Sequence, residues 1–275
     1  KPARDHAEDE EHAKVVALDD REIRLKSPVI VAGFPDNGMV GSICMNHVIE
    51  QMGMHQVAFV DSQYIMASAL YVGKKLRHPF RIYANSSGTV CALICEVPIL
   101  AKGVRPIVNS IVDWCEQEGV QEVIVMGGIS PTNISPPFSS PRSAYVVQNM
   151  EGDAAAGVVG EMQQAGGKQG KIRIPTSAFV VGIGGALLSS CVANGIKCRG
   201  LFVPSLGEAP DPGGAAILLD ALASIVPKAK VDTESLRSEA EMIKRQLEEL
   251  LKMQQKQMAE YERAERRPET ERIYK

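Results

Sequence analysis

Short apolar runs rich in β-branched residues recur along the chain, and turns containing Gly or Pro separate them from segments with helical periodicity. The first run, PVIVAGF from Pro28, predicts a strand that is buried on both faces. Residues 39–52 then place apolar side chains three and four positions apart, which predicts a helix. A strand, a Gly-rich turn and a helix in this order predict the start of a parallel βαβ unit.

The same alternation continues to about residue 226. Further strands are predicted for the segments HQVAFVD, FRIYA, TVCALICEV, EVIVMGG, AYVVQN, AFVVGI and KCRGLFVPS, of which the second and third form a hairpin around NSSG. Further helices are predicted over residues 106–118, 154–165 and 213–226 and in the segment ALLSSCVANG. Strands that alternate with helices predict an α/β fold, with a mainly parallel sheet sandwiched by helices in one domain over residues 23–228.

Residues 229–267 predict a C-terminal amphipathic helix. The chain lacks Gly and Pro from Thr233 up to Pro268, and Thr233 or Asp232 can cap the helix start. Its apolar seam keeps heptad spacing for only two heptads, so two alternatives stay open: packing on its own domain or a partner subunit, or a coiled coil. The seam consists of Leu236, Ala240, Ile243, Leu247 and Leu250. Residues 268–275 are predicted to form a flexible tail.

Charge is spread unevenly along the 275 residues, although the formal net charge is only -3. Residues 1–22 are polar and acidic, which predicts a charged flexible arm, with ordered structure starting near Ile23. The near-neutral balance has no basic excess of the kind that binds nucleic acid or an anionic membrane. We therefore expect neither as a partner.

Six cysteines are dispersed through apolar segments without a CxxC pair. This pattern predicts buried free thiols in a reducing compartment rather than a disulfide framework. The chain contains neither an apolar run long enough to span a membrane nor an apolar secretory signal at its charged start. A cytoplasmic location is the resulting expectation.

The turn GFPDNGMVGS places Gly33 and Gly38 between the first strand and the first helix, where backbone amides can receive an anion. Asp61 ends the next strand, which is where a dinucleotide-binding fold keeps its ribose acid. The spacing is not GxGxxG, however, and Asp36 adds a negative charge inside the turn. The pattern favours turn and packing roles for these glycines over nucleotide binding, and no cofactor is expected.

Gly127 and Gly184 follow two later strands of the predicted sheet in the same way. The carboxyl ends of strands are the usual ligand crevice of open α/β sheets, so a small-ligand crevice lined by Gly33, Gly38, Gly127 and Gly184 stays open. Tight turns between strands and helices explain the same glycines without a ligand.

Catalytic and metal-binding patterns are absent from the sequence. No GxSxG occurs, and the five histidines lack a zinc-ligand spacing such as HExxH. His47 and Glu50, one turn apart, are interpreted as a pair on the surface of a helix. The sequence therefore predicts no catalytic and no metal-binding residue.

The last three residues form a compact binding group. Ile273 offers an apolar side chain, Tyr274 a ring with one hydroxyl, and Lys275 a terminal carboxylate that a lysine or backbone amides can hold. A frayed end without a role is the alternative.

Longer segments of the body resemble the proteasome assembly chaperone family, in particular its archaeal members. These segments are MVGSICMNHVIEQMGMHQVAFVDSQYI, RHPFRIYA, ICEVPI, VMGGIS, VGIGGALLSSCVANGI and SLGEAPDPGGAAILLDAL, in the order of the family and within residues 28–226. The resemblance implies an α/β fold related to the nucleoside phosphorylases but without their catalysis, and self-association into homo-oligomers. It also implies a role in assembling, or binding to, the α-subunit ring of the 20S proteasome.

The ending resembles the hydrophobic-tyrosine-any motif that proteasome activators and some of these chaperones dock between neighbouring α subunits. On this resemblance, Ile273 is the apolar anchor, Tyr274 the ring and Lys275 the donor of the terminal carboxylate. The leading expectation is a non-enzymatic homo-oligomer that binds proteasome α subunits through this tail, as an assembly chaperone or an activator. The alternative is a ligand-binding or enzymatic α/β protein that uses the crevice.

Overall fold

The computed structural model describes residues 13–18, 23–72, 74–136, 142–149, 172–207 and 209–246. The strands are β1 (Lys14–Ala17), β2 (Val29–Gly33), β3 (His55–Asp61), β4 (Leu70–Val72), β5 (Lys75–Arg77), β6 (Phe80–Ala84), β7 (Val90–Cys95), β8 (Glu122–Ile129), β9 (Ile134–Ser135), β10 (Ala144–Gln148), β11 (Ile172–Arg173), β12 (Ser177–Ala178) and β13 (Cys198–Pro204). The helices are α1 (Val40–Gln51), α2 (Val104–Gln117), α3 (Gly182–Ala193), α4 (Pro212–Ile225) and α5, which is helical over residues 234–246.

Nine of the described strands form one sheet, in the order β1-β3-β6-β7-β2-β8-β13-β10-β11. The four central strands, β7, β2, β8 and β13, are parallel, which confirms the predicted parallel sheet at its centre. The pairs on the β1 side are antiparallel, and so is the pair of β10 with β13. The predicted hairpin around NSSG joins β6 to β7, and a connection this short permits only antiparallel pairing.

Helices cover both faces of the central strands. On one face α1 packs beside α4, through side chains such as Cys44 and Leu218. On the other face α2 packs beside α3, through side chains such as Ile107 and Leu187. Because β2 is covered from both sides, all of Val29–Gly33 is buried, as its uninterrupted apolar run predicts. None of the helices in the described part of the chain has the length and apolarity needed to cross a bilayer.

All six cysteines are free and buried, which confirms the prediction for the thiols. Burial raises the pKa of Cys95 to about 11 and the pKa of Cys115 to about 12. These two thiols therefore stay protonated at neutral pH and pack as small apolar side chains.

The N-terminal segment is more ordered than its composition predicts. Lys14–Ala17 forms β1, an edge strand that pairs antiparallel with β3, and Val15 packs against the core. The predicted start of ordered structure near Ile23 is therefore wrong. The segment pairs along the edge of β3, and this edge exists only in the folded domain. Residues 1–12 and 19–22 of the predicted arm lie outside the described residues.

The segment AFVVGI does not form the predicted strand. Only Ser177–Ala178 is a strand, α3 begins at Gly182, and Phe179 and Val181 are exposed. Gly182 has a φ of 74°, which ends the extended backbone and starts the helix four residues before the predicted segment ALLSSCVANG. Periodicity cannot distinguish a short apolar strand from the start of an apolar helix. The predicted helix at 154–165 lies outside the described residues.

The start of α5 packs on its own domain. Leu236 is buried in the core layer of α1 and α4, and Asp232 caps the helix by accepting the amide of Glu234 at 3.1 Å. His47 on α1 is buried, and its Nε2 lies 2.5 Å from the backbone oxygen of Asp232. The interpretation of His47 as a surface partner of Glu50 is therefore wrong. The seam positions Leu247 and Leu250, which a coiled coil would use, lie outside the described residues.

Candidate functional site

The loops that follow β2, β8 and β13 meet at the carboxyl end of the central strands. The amide of Gly38 donates to the carbonyl of Gly207 at 3.0 Å, and the amide of Asp211 donates back to the carbonyl of Gly38 at 2.9 Å. The amide of Ser205 donates to the carbonyl of Ile129 at 3.0 Å. These backbone bonds join three loops from distant parts of the chain into one rim.

A cavity of about 230 Å³ lies between this rim and the first turn of α3. Its walls include the aromatic side chains of Phe34, Phe179 and Phe202. Its polar side chains are Asp36, Asn37, Ser130 and Asn133. A concave, mainly apolar pocket with a few converging polar groups is the usual form of a small-molecule site, and this one lies where the predicted crevice should be.

Two of the four predicted crevice glycines line the cavity. Gly127 does so at the end of β8, and Gly184 does so from the first turn of α3 rather than from a strand end. Gly33 and Gly38 have structural roles instead. A Cβ on Gly33 would lie 2.2 Å from the carbonyl oxygen of Gly41, so Gly33 allows α1 to approach β2 closely. Gly38 has a φ of 70°, which the turn requires.

The side chain of Asp36 organises the turn after β2. Its Oδ2 accepts the amide of Gly41 at 3.0 Å, in the first turn of α1, and the amide of Gly128 at 2.9 Å, at the end of β8. A Cβ on Gly127 would lie 2.3 Å from the same oxygen. Gly127 of the VMGGIS segment therefore makes room for this carboxyl group. Asp36 fastens the end of β2 to α1 and to β8.

Burial raises the pKa of Asp36 to about 7, against the effect of the backbone amides that donate to its side chain. The Oδ1 atom is buried and has no hydrogen-bond partner among the described residues. Asp36 is also the sole titratable side chain among the described residues that line the cavity. The site thus has a carboxyl group that can exchange a proton near neutral pH beside a mainly apolar cavity, an arrangement suited to binding a small ligand.

A second carboxyl group holds the rim from the other side. Asp211, the N-cap of α4, accepts the amide of Gly214 and the hydroxyl of Ser205, each at 2.8 Å. The guanidinium of Arg142 donates to both of its oxygens, one of them at 3.1 Å. Burial acts to raise the pKa of Asp211, but the hydrogen bonds and charge of Arg142 outweigh it and lower that pKa below its usual value. This bidentate pair fixes the loop before α4.

In the sequence, Asp36 stands out only as an obstacle to phosphate binding, and no pattern singles out Asp211 or Arg142. Asp36 lies directly after a buried strand and before a helix, and a polar residue at such a position is a candidate site residue. No comparable signal marks Arg142, which lies 69 positions before its partner. No cluster of three His, Cys, Asp or Glu side chains that could hold a metal occurs within the described ranges. The predicted docking residues Ile273, Tyr274 and Lys275 lie outside the described residues.

Comparisons with known proteins agree with this architecture. The model of the PAC2 family matches residues 30–251. A protein of unknown function from Thermoplasma acidophilum is 32% identical, with a TM-score of 0.64 over 86% of this chain and 92% of its own. Pyrococcus furiosus PbaA, an archaeal homolog of proteasome-assembly chaperone, is 22% identical, with a TM-score of 0.72 over 96% of this chain and 99% of its own.

A further similar structure is Pyrococcus furiosus PbaB, an archaeal proteasome activator. It is 20% identical, with a TM-score of 0.71 over 87% of this chain and 99% of its own. At this identity the two Pyrococcus structures establish the shared fold. The family match extends from β2 to beyond the described part of α5 and so includes the whole rim of the cavity. The chain belongs to the PAC2 family.

Proposed function

We propose that this protein is a non-enzymatic, homo-oligomeric proteasome assembly chaperone or proteasome-binding factor, which docks its C-terminal tail on α subunits of the 20S proteasome. The observation that carries the proposal is the PAC2 family match over residues 30–251, supported by the likeness to PbaA and PbaB, whose names refer to proteasome assembly and activation. The six buried free thiols favour the reducing cytoplasm as its location.

The tail residues have the chemistry that a docking group needs. Ile273 supplies apolar surface, Tyr274 a ring with one hydroxyl, and Lys275 the terminal carboxylate. A lysine or backbone amides of the α subunits can bind that carboxylate. The contacts of Leu236 and His47 attach the start of α5 to the domain, so the chain that leads to the tail starts from a fixed point.

Several tails on one oligomer would raise the strength of binding. Each bound tail holds the others at high local concentration near equivalent sites, so weak single contacts add up to stable binding. Homo-oligomerisation is therefore part of the proposal.

Binding of the protein to isolated α-subunit rings tests whether the tail docks on them. We expect a variant without residues 273–275 to lose at least tenfold in affinity, measured by surface plasmon resonance. The variant Lys275→Ala is the matched control, because it keeps the terminal carboxylate, Ile273 and Tyr274, and it should bind nearly as well as the wild type. Unchanged affinity after the deletion would overturn tail docking.

Peptide hydrolysis by mature 20S proteasomes separates the two roles. An activator stimulates hydrolysis, whereas an assembly chaperone accelerates the formation of α rings without stimulating the mature particle. Both measurements use the full chain.

The second candidate function is small-ligand binding in the cavity at the carboxyl end of the sheet. The observation that favours it is the buried Oδ1 of Asp36, which has no partner among the described residues, beside a cavity with aromatic walls. A thermal-shift screen with nucleosides, inorganic phosphate and dinucleotides tests it, because a ligand that binds the native state raises the melting temperature. No shift with any of these probes would exclude that candidate for these ligand classes.

A further inference from the structure

The cavity at the carboxyl end of the sheet offers a hydrogen-bond acceptor on one wall and donors on another. The acceptor is Asp36, whose buried Oδ1 has no partner among the described residues. The donors are the backbone amides in the first turn of α3, which includes Gly182 and Gly184. The first amides of an α-helix have no acceptor within the helix, and the N-cap residue Val181 has no side-chain oxygen to accept one. Both kinds of group are therefore available to a ligand.

The two polar walls flank the same strand. Oδ2 of Asp36 accepts the amide of Gly128 at the end of β8, at 2.9 Å. A Cβ on Gly184 would lie 3.1 Å from Cγ1 of Val125, three residues earlier on β8. Three residues of a strand span about 10 Å. A molecule of one or two fused rings is therefore large enough to reach both walls.

The electrostatics of these walls favour a neutral ligand. An ionised Asp36 repels an anion, and no basic side chain among the described residues that line the cavity offsets its charge. The start of a helix carries partial positive charge, which disfavours a cation beside the first turn of α3. A neutral molecule that has one hydrogen-bond donor and one acceptor complements both walls.

The remaining walls and the volume favour a small flat molecule. Phe34, Phe179 and Phe202 line the cavity, and aromatic side chains pack well against planar rings. The cavity volume of about 230 Å³ lies below the range of about 300–1,000 Å³ that is usual for drug-sized ligands. One or two fused rings fit this volume, whereas a dinucleotide does not.

We propose that the cavity binds a small, neutral, planar cyclic amide. Its ring N–H donates to Oδ1 of Asp36, and its carbonyl oxygen accepts from the backbone amides in the first turn of α3. A cyclic amide carries both groups on one flat ring and leaves the faces of that ring for the phenylalanine walls. The inference rests on the second candidate function, small-ligand binding in this cavity, and names the class of ligand.

A matched pair of ligands tests the predicted hydrogen bond. The probe is 2-quinolone, a two-ring cyclic amide with one N–H and one carbonyl group, and N-methyl-2-quinolone differs in lacking the N–H donor. Binding to the full chain is measured by isothermal titration calorimetry at pH 8, above the pKa of about 7 of Asp36. We expect 2-quinolone to bind and the methylated compound to bind at least about tenfold more weakly, because it leaves Oδ1 unpaired.

Asp36→Asn is the matched variant of the protein. Its side-chain oxygen can still accept the amides of Gly41 and Gly128, but an NH₂ group then replaces Oδ1 and offers a donor instead of an acceptor. We expect its affinity for 2-quinolone to fall at least about tenfold, with an unchanged circular dichroism spectrum. The control Asp61→Asn, at the exposed end of β3, should bind 2-quinolone like the wild type.

A second variant keeps the test valid if Asp36→Asn fails to fold. Phe179 lines the cavity but is 68% exposed, so Phe179→Ala removes an aromatic wall without removing a buried core side chain. Its affinity for 2-quinolone should fall about threefold or more, because one ring contact is lost.

Three results overturn the inference: no binding of 2-quinolone, equal affinity for 2-quinolone and its methylated form, or unchanged affinity in the folded Asp36→Asn or Phe179→Ala variant. Failure of the second candidate function has a different signature. If a nucleoside or phosphate raises the melting temperature while 2-quinolone does not bind, small-ligand binding stands and the cyclic amide is refuted. Deletion of residues 273–275 tests tail docking independently of both.

Discussion

The carboxylate of Asp36 accepts the backbone amide of Gly128 at 2.9 Å, although the two residues are 92 positions apart in the chain. This bond joins the ends of two neighbouring parallel strands, β2 and β8, at the rim of the cavity. The same Oδ2 also accepts the amide of Gly41 at the start of α1. One carboxyl group therefore connects a strand, a helix and a second strand.

We expect Asp36 to make the protein less stable as the pH rises from about 4 to about 7. The pKa of Asp36 is raised to about 7 in the folded state, above its unfolded value of about 3.9. A raised pKa means that folding favours the protonated form. The associated stability is present below pH 4 and is lost by pH 7, with an upper limit of about 4 kcal/mol.

Urea unfolding between pH 4 and pH 8 measures this effect. The variant Asp36→Asn keeps an oxygen for the two amides and cannot ionise, so its stability should decline less over this range than that of the wild type. Asp61→Asn, at the exposed end of β3, should follow the wild type. Parallel pH profiles for Asp36→Asn and the wild type would contradict the assignment.

Gly128→Ala should destabilise the protein strongly. A Cβ at this position would lie 1.8 Å from the carbonyl oxygen of Asn37, and backbone atoms cannot rotate away as a side chain can. We expect a loss of at least about 3 kcal/mol in the free energy of unfolding. Gly119→Ala is the control, because its φ of 62° is strained for alanine but its Cβ meets no atom within 4 Å. Gly119→Ala should lower the free energy of unfolding by only about 1 kcal/mol. Equal losses for Gly119→Ala and Gly128→Ala would contradict the steric explanation.

Arg142→Leu should destabilise the loop before α4 by about 1–3 kcal/mol at pH 7, because Asp211 would lose its bidentate partner. Arg142→Lys keeps the positive charge but lacks the two-pronged guanidinium group. Its free energy of unfolding should therefore fall by less than that of Arg142→Leu. Since the pKa of Asp211 is lowered in the folded state, its stabilisation is present at neutral pH and is lost as the pH falls through that pKa. Thermal unfolding should therefore show a smaller difference between wild type and Arg142→Leu at pH 3 than at pH 7. A difference that is independent of pH would contradict this account.

Leu236→Ala should cost about 2–4 kcal/mol in the free energy of unfolding, because it removes a buried side chain from the layer of α1 and α4. Ile243→Ala, two turns further along α5, should cost less than about 1 kcal/mol, since that side chain is 37% exposed. Chemical denaturation of the two variants measures both losses in the free energy of unfolding. A similar cost for both would mean that α5 is buried along its described length by contacts between copies of the chain.

Local patterns predicted most of the central architecture. The runs that became β2 and β8 are rich in β-branched residues, mainly apolar and bounded by turns, and these properties favour a strand regardless of its neighbours. The same holds for α4, where Pro212 opens the helix and Asp211 caps it. The position of the cavity at the carboxyl end of the sheet follows from this topology, but which glycines line it does not. All four glycines follow strand-like runs, so the sequence pattern does not separate Gly33 and Gly38 from Gly127 and Gly184.

The errors occur where a distant partner decides the outcome. β1 exists because β3 offers an unpaired edge, and His47 is buried because the start of α5 crosses it. Neither partner is visible in the local periodicity of these segments.

The sequence by itself determined the α/β class, the strands at the centre of the sheet, the burial of the cysteines and the resemblance to the family. The first three follow from periodicity, turn residues and composition, which act over a few positions of the chain, whereas the resemblance rests on longer segments matched in order. Only the tertiary structure decided that Asp36 joins β2 to β8, that Arg142 holds Asp211, and that Phe179 and Val181 before α3 are exposed. These depend on contacts between residues far apart in sequence, because closure of the sheet determines which polar groups find partners and which apolar surface remains uncovered.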